Sequence, residues 1–232
     1  MKKEAFTLAE VLITLAIVGV VAAVSLPTLN TNVQKQGLSS QIAKFYNQYT
    51  KAIEMYKVDN ELDEIPASFE PEAFVRKYFK VTQKCSATRG PHYFGRPQTY
   101  NSTCFAQAYR TIDSADAFVR GGDLEGHGSG EAETSAVTYM LADGAVMTVD
   151  GDKVIFDVNG LKGPNISGYD LQQFTVYSDG SIDEAGVTPE LKLDDPDEIK
   201  TIISTAFSNC KAGAKEGGCF GHLLRNGFRF DY

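Results

Sequence analysis

Three histidines, four cysteines and a scatter of carboxylates are the side chains of this sequence that could do chemistry. His92, His127 and His222 stand far apart, and none belongs to the H-E-x-x-H pattern that sets two imidazoles on one helical face for zinc. The glycine tract 121–130 holds one serine, Ser129, but a G-x-S-x-G elbow needs glycines where His127 and Glu131 stand. The same tract lacks the Gly-Lys-Ser/Thr ending of a phosphate loop, so it reads as a connector. Asp157, Asn159 and Asp170 offer oxygen ligands of the type Ca²⁺ takes, at a spacing that is not an EF-hand. Asp and Asn beside glycine are equally the residues of turns that bond their own backbone. No active site assembles from these patterns, and the expectation is a non-enzyme whose only cofactor reading is that calcium set.

Cys85, Cys104, Cys210 and Cys219 include no C-x-x-C pair of the kind zinc sites use. Local pairing, Cys85 with Cys104 and Cys210 with Cys219, closes the shortest loops and suits an oxidising compartment. A formal net charge of −8 disfavours binding to nucleic acid, which relies on Lys and Arg against phosphate. With 43% hydrophobic and 22% charged residues there is material for a core.

One further carboxylate is conspicuous by its setting. Lys2 and Lys3 precede an apolar run over residues 6–29 that is broken by a single charge, Glu10. As a helix this run is about 36 Å long, enough for a hydrocarbon core of roughly 30 Å. The two lysines favour a cytoplasmic amino terminus, with the rest of the chain across the membrane. A carboxylate in such surroundings requires a cation.

The run Ala5-Phe6-Thr7-Leu8-Ala9-Glu10-Val11-Leu12-Ile13 resembles the processing site of type IV prepilins and type II secretion pseudopilins. The resemblance implies removal of leader residues 1–5 by a prepilin peptidase, between Ala5 and Phe6, and N-methylation of Phe6. It makes Glu10 the fifth mature residue, paired in the filament with the amine of Phe6 on a neighbouring subunit. Gly19 and Pro27 sit where the family commonly has a glycine and a proline in its anchor helix, as points of helix flexibility. Ala5 departs from the glycine usual before the cut. The leader carries a net +1, so processing takes the formal charge from −8 to −9.

Behind this motif the elements follow from periodicity. Leu38, Ile42, Phe45, Tyr49, Ile53 and Tyr56 recur at helical spacing and predict an amphipathic continuation over residues 30–58. Pro27, which lacks a backbone donor, tends to kink or break such a helix. Pro71 opens a short helix with Phe74, Val75, Tyr78 and Phe79 on one face. Residues 85–105 read as a cysteine-stapled surface loop in which His92, Tyr93, Phe94 and Tyr100 either meet a partner or tuck beneath it. Apolar runs near Val137, Val146, Val154 and Phe174, separated by Asp143-Gly144, Asp150-Gly151 and Asp179-Gly180, predict an antiparallel meander of three or four strands. Asp195-Pro196-Asp197-Glu198 starts a further helix, and the alternating tail 226–232 suits a terminal edge strand.

The expected fold is therefore α+β. A long amino-terminal helix, membrane-spanning in its first half (6–29) and amphipathic in its second (30–58), packs on the antiparallel sheet of a pilin-like head spanning residues 59–232. The resemblance implies a structural subunit held in the inner membrane and then assembled into a periplasmic or cell-surface filament. Its partners would be copies of itself, related pilin-like subunits and an inner-membrane assembly platform. An alternative rests on Ala23-Val24-Ser25, which fits an ordinary secretory cleavage before Leu26 and would release or anchor an extracytoplasmic binding module.

Overall fold

The computed structural model describes residues 7–86, 88–89, 100–113, 118–120, 136–212 and 217–232. The chain divides into two compact units, Met1–Gly37 and Leu38–Tyr232. Helix α1 (Leu8–Asp59) is continuous through Gly19 and Pro27. In the first unit its apolar side chains are exposed, Leu8 at 77% and Val20 at 67%. Among the described residues no helix is long and apolar enough to cross a membrane. Side chains there are described without a break only from Thr7 to Ala23, short of the roughly 20 residues a crossing takes.

In the second unit α1 forms one layer of an α+β head. Leu38, Ile42, Phe45, Tyr49 and Ile53 are all buried, the stripe that a helical period places on one face. They pack on a six-stranded antiparallel sheet made of β1 (Val81–Cys85), β6 (Val137–Leu141), β7 (Val146–Asp150), β8 (Lys153–Asp157), β9 (Leu171–Val176) and β10 (Ile182–Asp183), in that spatial order. Phe45 stacks on Phe156 of β8 at 4.1 Å between centroids, with the rings 7° from parallel. Val149 lies opposite Val154, and Asp150 opposite Lys153. The intervening turn at Gly151 has φ +60°, a conformation that glycine adopts without steric cost. Helix α2 (Pro71–Tyr78) begins with proline in its first turn and adds Phe74 and Val75 to the core.

The pleat sends alternate residues to the opposite face. There Val146 and Leu171 meet Cys85, Cys104, Phe105 and Tyr109 in a second, smaller cluster. The Cys104 end of the segment read as a surface loop is therefore buried, with Phe105 fully covered. Of its remainder, the described β2 (Thr88–Arg89) and β3 (Tyr100–Asn101) form a short antiparallel pair. His92, Tyr93 and Phe94 lie outside the described residues, as does the 121–130 tract with His127 and Ser129. Another pair, β4 (Ala108–Arg110) with β5 (Phe118–Arg120), carries Tyr109.

Helices α3 (Pro189–Asp194), α4 (Pro196–Ala212) and α5 (Phe220–Arg225) complete the head. Asp195 Oδ1 accepts from the amides of Asp197 and Glu198 at 3.1 and 2.9 Å, capping α4.

Two expectations are corrected. The sheet has six strands rather than three or four, because β1 and β10 are edge elements without apolar alternation. In β1 only Cys85 is buried, and β10 is two residues long. The tail is not a strand. Gly227 and Phe228 take φ of +62° and +59°, which turns the chain out of extended geometry. Phe230 then packs on Tyr169 at 5.0 Å, and the Tyr232 hydroxyl donates to Gly168 O at 2.7 Å.

Candidate functional site

Two places gather the residues singled out in the sequence. The first is the start of α1. Thr7 and Glu10 bond reciprocally: Glu10 Oε2 accepts from the Thr7 amide at 2.9 Å and from its hydroxyl at 2.8 Å, while the Glu10 amide donates to Thr7 Oγ1 at 3.3 Å. This is a capping box, which satisfies amides that the first helical turn leaves without partners. Its T-x-x-E signature, Thr7 to Glu10, is present in the sequence. Thr7 supplies hydrogen bonds but no cation, so the carboxylate keeps its need for one. Ala5 and Phe6 lie outside the described residues. At Gly19 an added Cβ would meet nothing within 4 Å.

Residues 1–26 match the prokaryotic N-terminal methylation motif. The chain carries a prepilin-type signature. That signature is the one of type IV pilins and pseudopilins, a structural class rather than an enzyme class, and it brings Phe6, Glu10 and Gly19 into one motif. The prepilin signature covers the amino terminus alone. No curated protein and no solved structure matches the chain.

The second place is the loop from β8 to β9, which brings Asp157, Asn159 and Asp170 together at one end of those strands. Asp157 is fully buried. Its Oδ1 accepts from the amides of Asn159 and Gly160, both at 2.8 Å, and its Oδ2 from the Tyr109 hydroxyl at 2.5 Å. Asp170, also fully buried, accepts from Ile166 and Leu171 through Oδ1 (2.7 and 3.1 Å) and from Asn165 through Oδ2 at 2.6 Å. The two carboxylates thus serve as internal anchors for a loop whose amides would otherwise be buried without acceptors.

Burial raises the pKa of both acids. For Asp157 the charge of Asp170 adds to burial, while the Tyr109 hydroxyl and the two amides offset part of the rise. Amides of Ile166 and Asn165 offset part of it for Asp170. Tyr109, pushed up by its own burial and then by the Asp157 charge, stays a hydrogen-bond donor.

Against the calcium reading, all four carboxylate oxygens already receive protein donors. Asn159 Oδ1 and Asn165 Oδ1 are buried acceptors with no partner among the described residues. Among the described residues no group of three or more His, Cys, Asp or Glu side chains could hold a metal ion. As arranged, the donor set does not resemble the six to eight oxygens that calcium gathers. Tyr109 and Gly160, which complete the loop's support, carry no pattern in the sequence that marks them.

The cysteines are joined as Cys85–Cys104 and Cys210–Cys219, with Cα separations of 5.9 and 5.6 Å. His222 contacts Asp231 at 2.8 Å and stacks on Phe207 at 4.0 Å, an arrangement that ties the tail down.

Proposed function

We propose that this chain is a structural subunit of a type IV pilus or type II secretion pseudopilus. In this reading it is held in the inner membrane by the segment 6–29, with its head on the far side, and then assembled into a filament. The observation that carries the reading is the prepilin-type signature opening a helix whose apolar side chains, from Leu8 to Val21, are exposed. An apolar surface of this kind calls for a lipid or protein partner. In lipid the helix is an anchor, and in a filament the helices of neighbouring subunits replace the lipid. Prepilin peptidase cuts after Ala5, and the assembly platform delivers the processed subunit to copies of itself and related pilin-like chains.

Glu10 selects the docking register in this mechanism. A carboxylate moved into an apolar bundle is strongly penalised unless a cation meets it. The methylated amine of Phe6 on a neighbour supplies that cation, and the Thr7 bonds hold the carboxylate in place to receive it. Mass spectrometry of the mature protein tests the reading: a chain starting at N-methylated Phe6 is expected. A chain starting at Leu26, the product of ordinary secretory cleavage, would overturn it.

A further inference from the structure

The head carries an apolar cavity of about 320 Å³ lined by Tyr49, Ile53, Ile65, Phe69, Val176 and Asp152, among others. That volume lies within the range of sites that take a ligand or an anchoring side chain. The connector after α1 forms one wall, pinned by the Ile65 amide donating to Ser178 O at 2.7 Å. The Tyr49 ring is gripped edge-on by Phe174 at 5.1 Å. Its phenol is buried, which raises its pKa. Asp152 in the lining is exposed, and exposed Asp63 and Glu64 precede Ile65 in the chain.

At the other end of the same strands stands a feature of opposite character. Leu161, 57% exposed, projects from the β8–β9 loop with exposed Lys162 next to it. The loop beneath is rigidly held. Asp157 fixes the amides of Asn159 and Gly160, Asn159 Nδ2 donates to Gly163 O at 3.2 Å, and a Cβ on Gly160 would stand 2.8 Å from Gly144 O. A preorganised loop presenting an apolar side chain loses little freedom when it docks. Strand β8 runs from the Asp152 turn to Asp157, and β9 returns, so cavity and leucine are separated by a strand length of roughly 17 Å.

We propose that Leu161 of one copy seats in this cavity of the next, with Lys162 facing Asp152. The contact joins two different patches. It is therefore heterologous and propagates from copy to copy, as open helical assemblies require. The exposed carboxylates there favour a basic neighbour, and among the exposed apolar side chains described in the head Leu161 has exposed Lys162 beside it, whereas Met55 follows Glu54 and Val58 stands between Asp59 and Lys57, whose ammonium is already engaged by Asp179 O at 2.8 Å. This inference deepens the filament reading and relies on it for the encounter of copies.

Cysteine cross-linking of the full chain in the cells that make it tests the contact. The structure has no free cysteines, all four being in disulfides, so new thiols are the reactive ones. Ala67 lines the cavity and is exposed, and neither Ala67→Cys nor Leu161→Cys disturbs the core. The double variant is expected to give a ladder of dimers, trimers and higher species on a non-reducing gel, with no ladder from either single variant. Microscopy of the same cells scores filaments separately. Filaments without a ladder overturn the contact and leave the filament reading standing. A ladder without filaments does the reverse, and the absence of both overturns both. Dimers from Leu161→Cys alone would show a symmetric contact and overturn the proposal. Lys162→Glu in the double-cysteine background is expected to lose the ladder and Asp152→Lys to restore it; an undiminished ladder in Lys162→Glu would also overturn the pairing.

Discussion

Tyr109 donates its hydroxyl to Asp157 Oδ2 across 2.5 Å, joining β4 to the loop between β8 and β9. The same hydroxyl accepts from the Ala106 amide at 3.1 Å, so one phenol serves two buried partners. Tyr109→Phe takes a partner from both and is expected to cost about 2–6 kcal/mol, about 1–3 for each buried group. Urea denaturation measures it, and a loss below about 0.5 kcal/mol would show that the hydroxyl is dispensable.

Stability of the head is expected to depend on pH through the same loop. The folded-state pKa values of Asp157 and Asp170 lie above their ordinary values, chiefly because of burial. The folded protein therefore holds protons that the unfolded chain releases. This contribution is complete below about pH 4, where unfolded carboxyls are protonated. It is lost as pH rises from there through the raised folded values toward neutrality. Asp157→Asn keeps one oxygen for the amides of Asn159 and Gly160 and removes a charge. Urea midpoints at about pH 5 and 8 should therefore differ less in this variant than in the parent; an unchanged difference would place the pH dependence elsewhere.

Calcium is expected to have no effect on melting temperature, because the carboxylates of the loop are already spent on amides and a phenol. Thermal unfolding in calcium and in chelator checks this directly. A calcium-dependent rise that Asp157→Asn removes would instead assign the Asp157 carboxylate to the ion.

At the amino terminus, hydrogen bonding and charge can be separated. Glu10→Gln keeps an oxygen for the Thr7 amide and hydroxyl, preserving the cap, whereas Glu10→Ala removes cap and charge together. Both variants are expected to insert in the membrane and to assemble poorly, read as sedimentable filament against membrane-bound subunit. Normal filament yield from Glu10→Gln would show that the carboxylate acts through the cap alone.

Much of the head was legible because its signals are local. The three Asp-Gly turns fall at Gly144, Gly151 and Gly180, all with positive φ, and the apolar period of α1 matches the stripe that is buried. Helix α4 begins where Asp195 and Pro196 say it should. The edge strand β1 escaped notice because it owes its pairing to β6 rather than to its own pattern; Val-Thr-Gln-Lys-Cys buries one end only. The α5 helix was hidden for a similar reason. Its amino-terminal Gly221 amide is held by Glu184, 37 residues earlier, and no window of sequence contains both. The oxygen-rich loop was legible in composition but not in use. Whether a carboxylate faces an ion or an amide depends on where the chain doubles back, which Tyr109 settles from 48 residues away.

The two disulfides have a consequence for biogenesis. Their pairs are consecutive along the chain, neither nested nor crossed, with partners 19 and 9 positions apart. A chain made from its amino terminus presents Cys85 and Cys104 before Cys210 and Cys219. An oxidant acting on thiols in order of emergence therefore produces the native connectivity at the first attempt, and maturation requires no shuffling by exchange with a wrong partner.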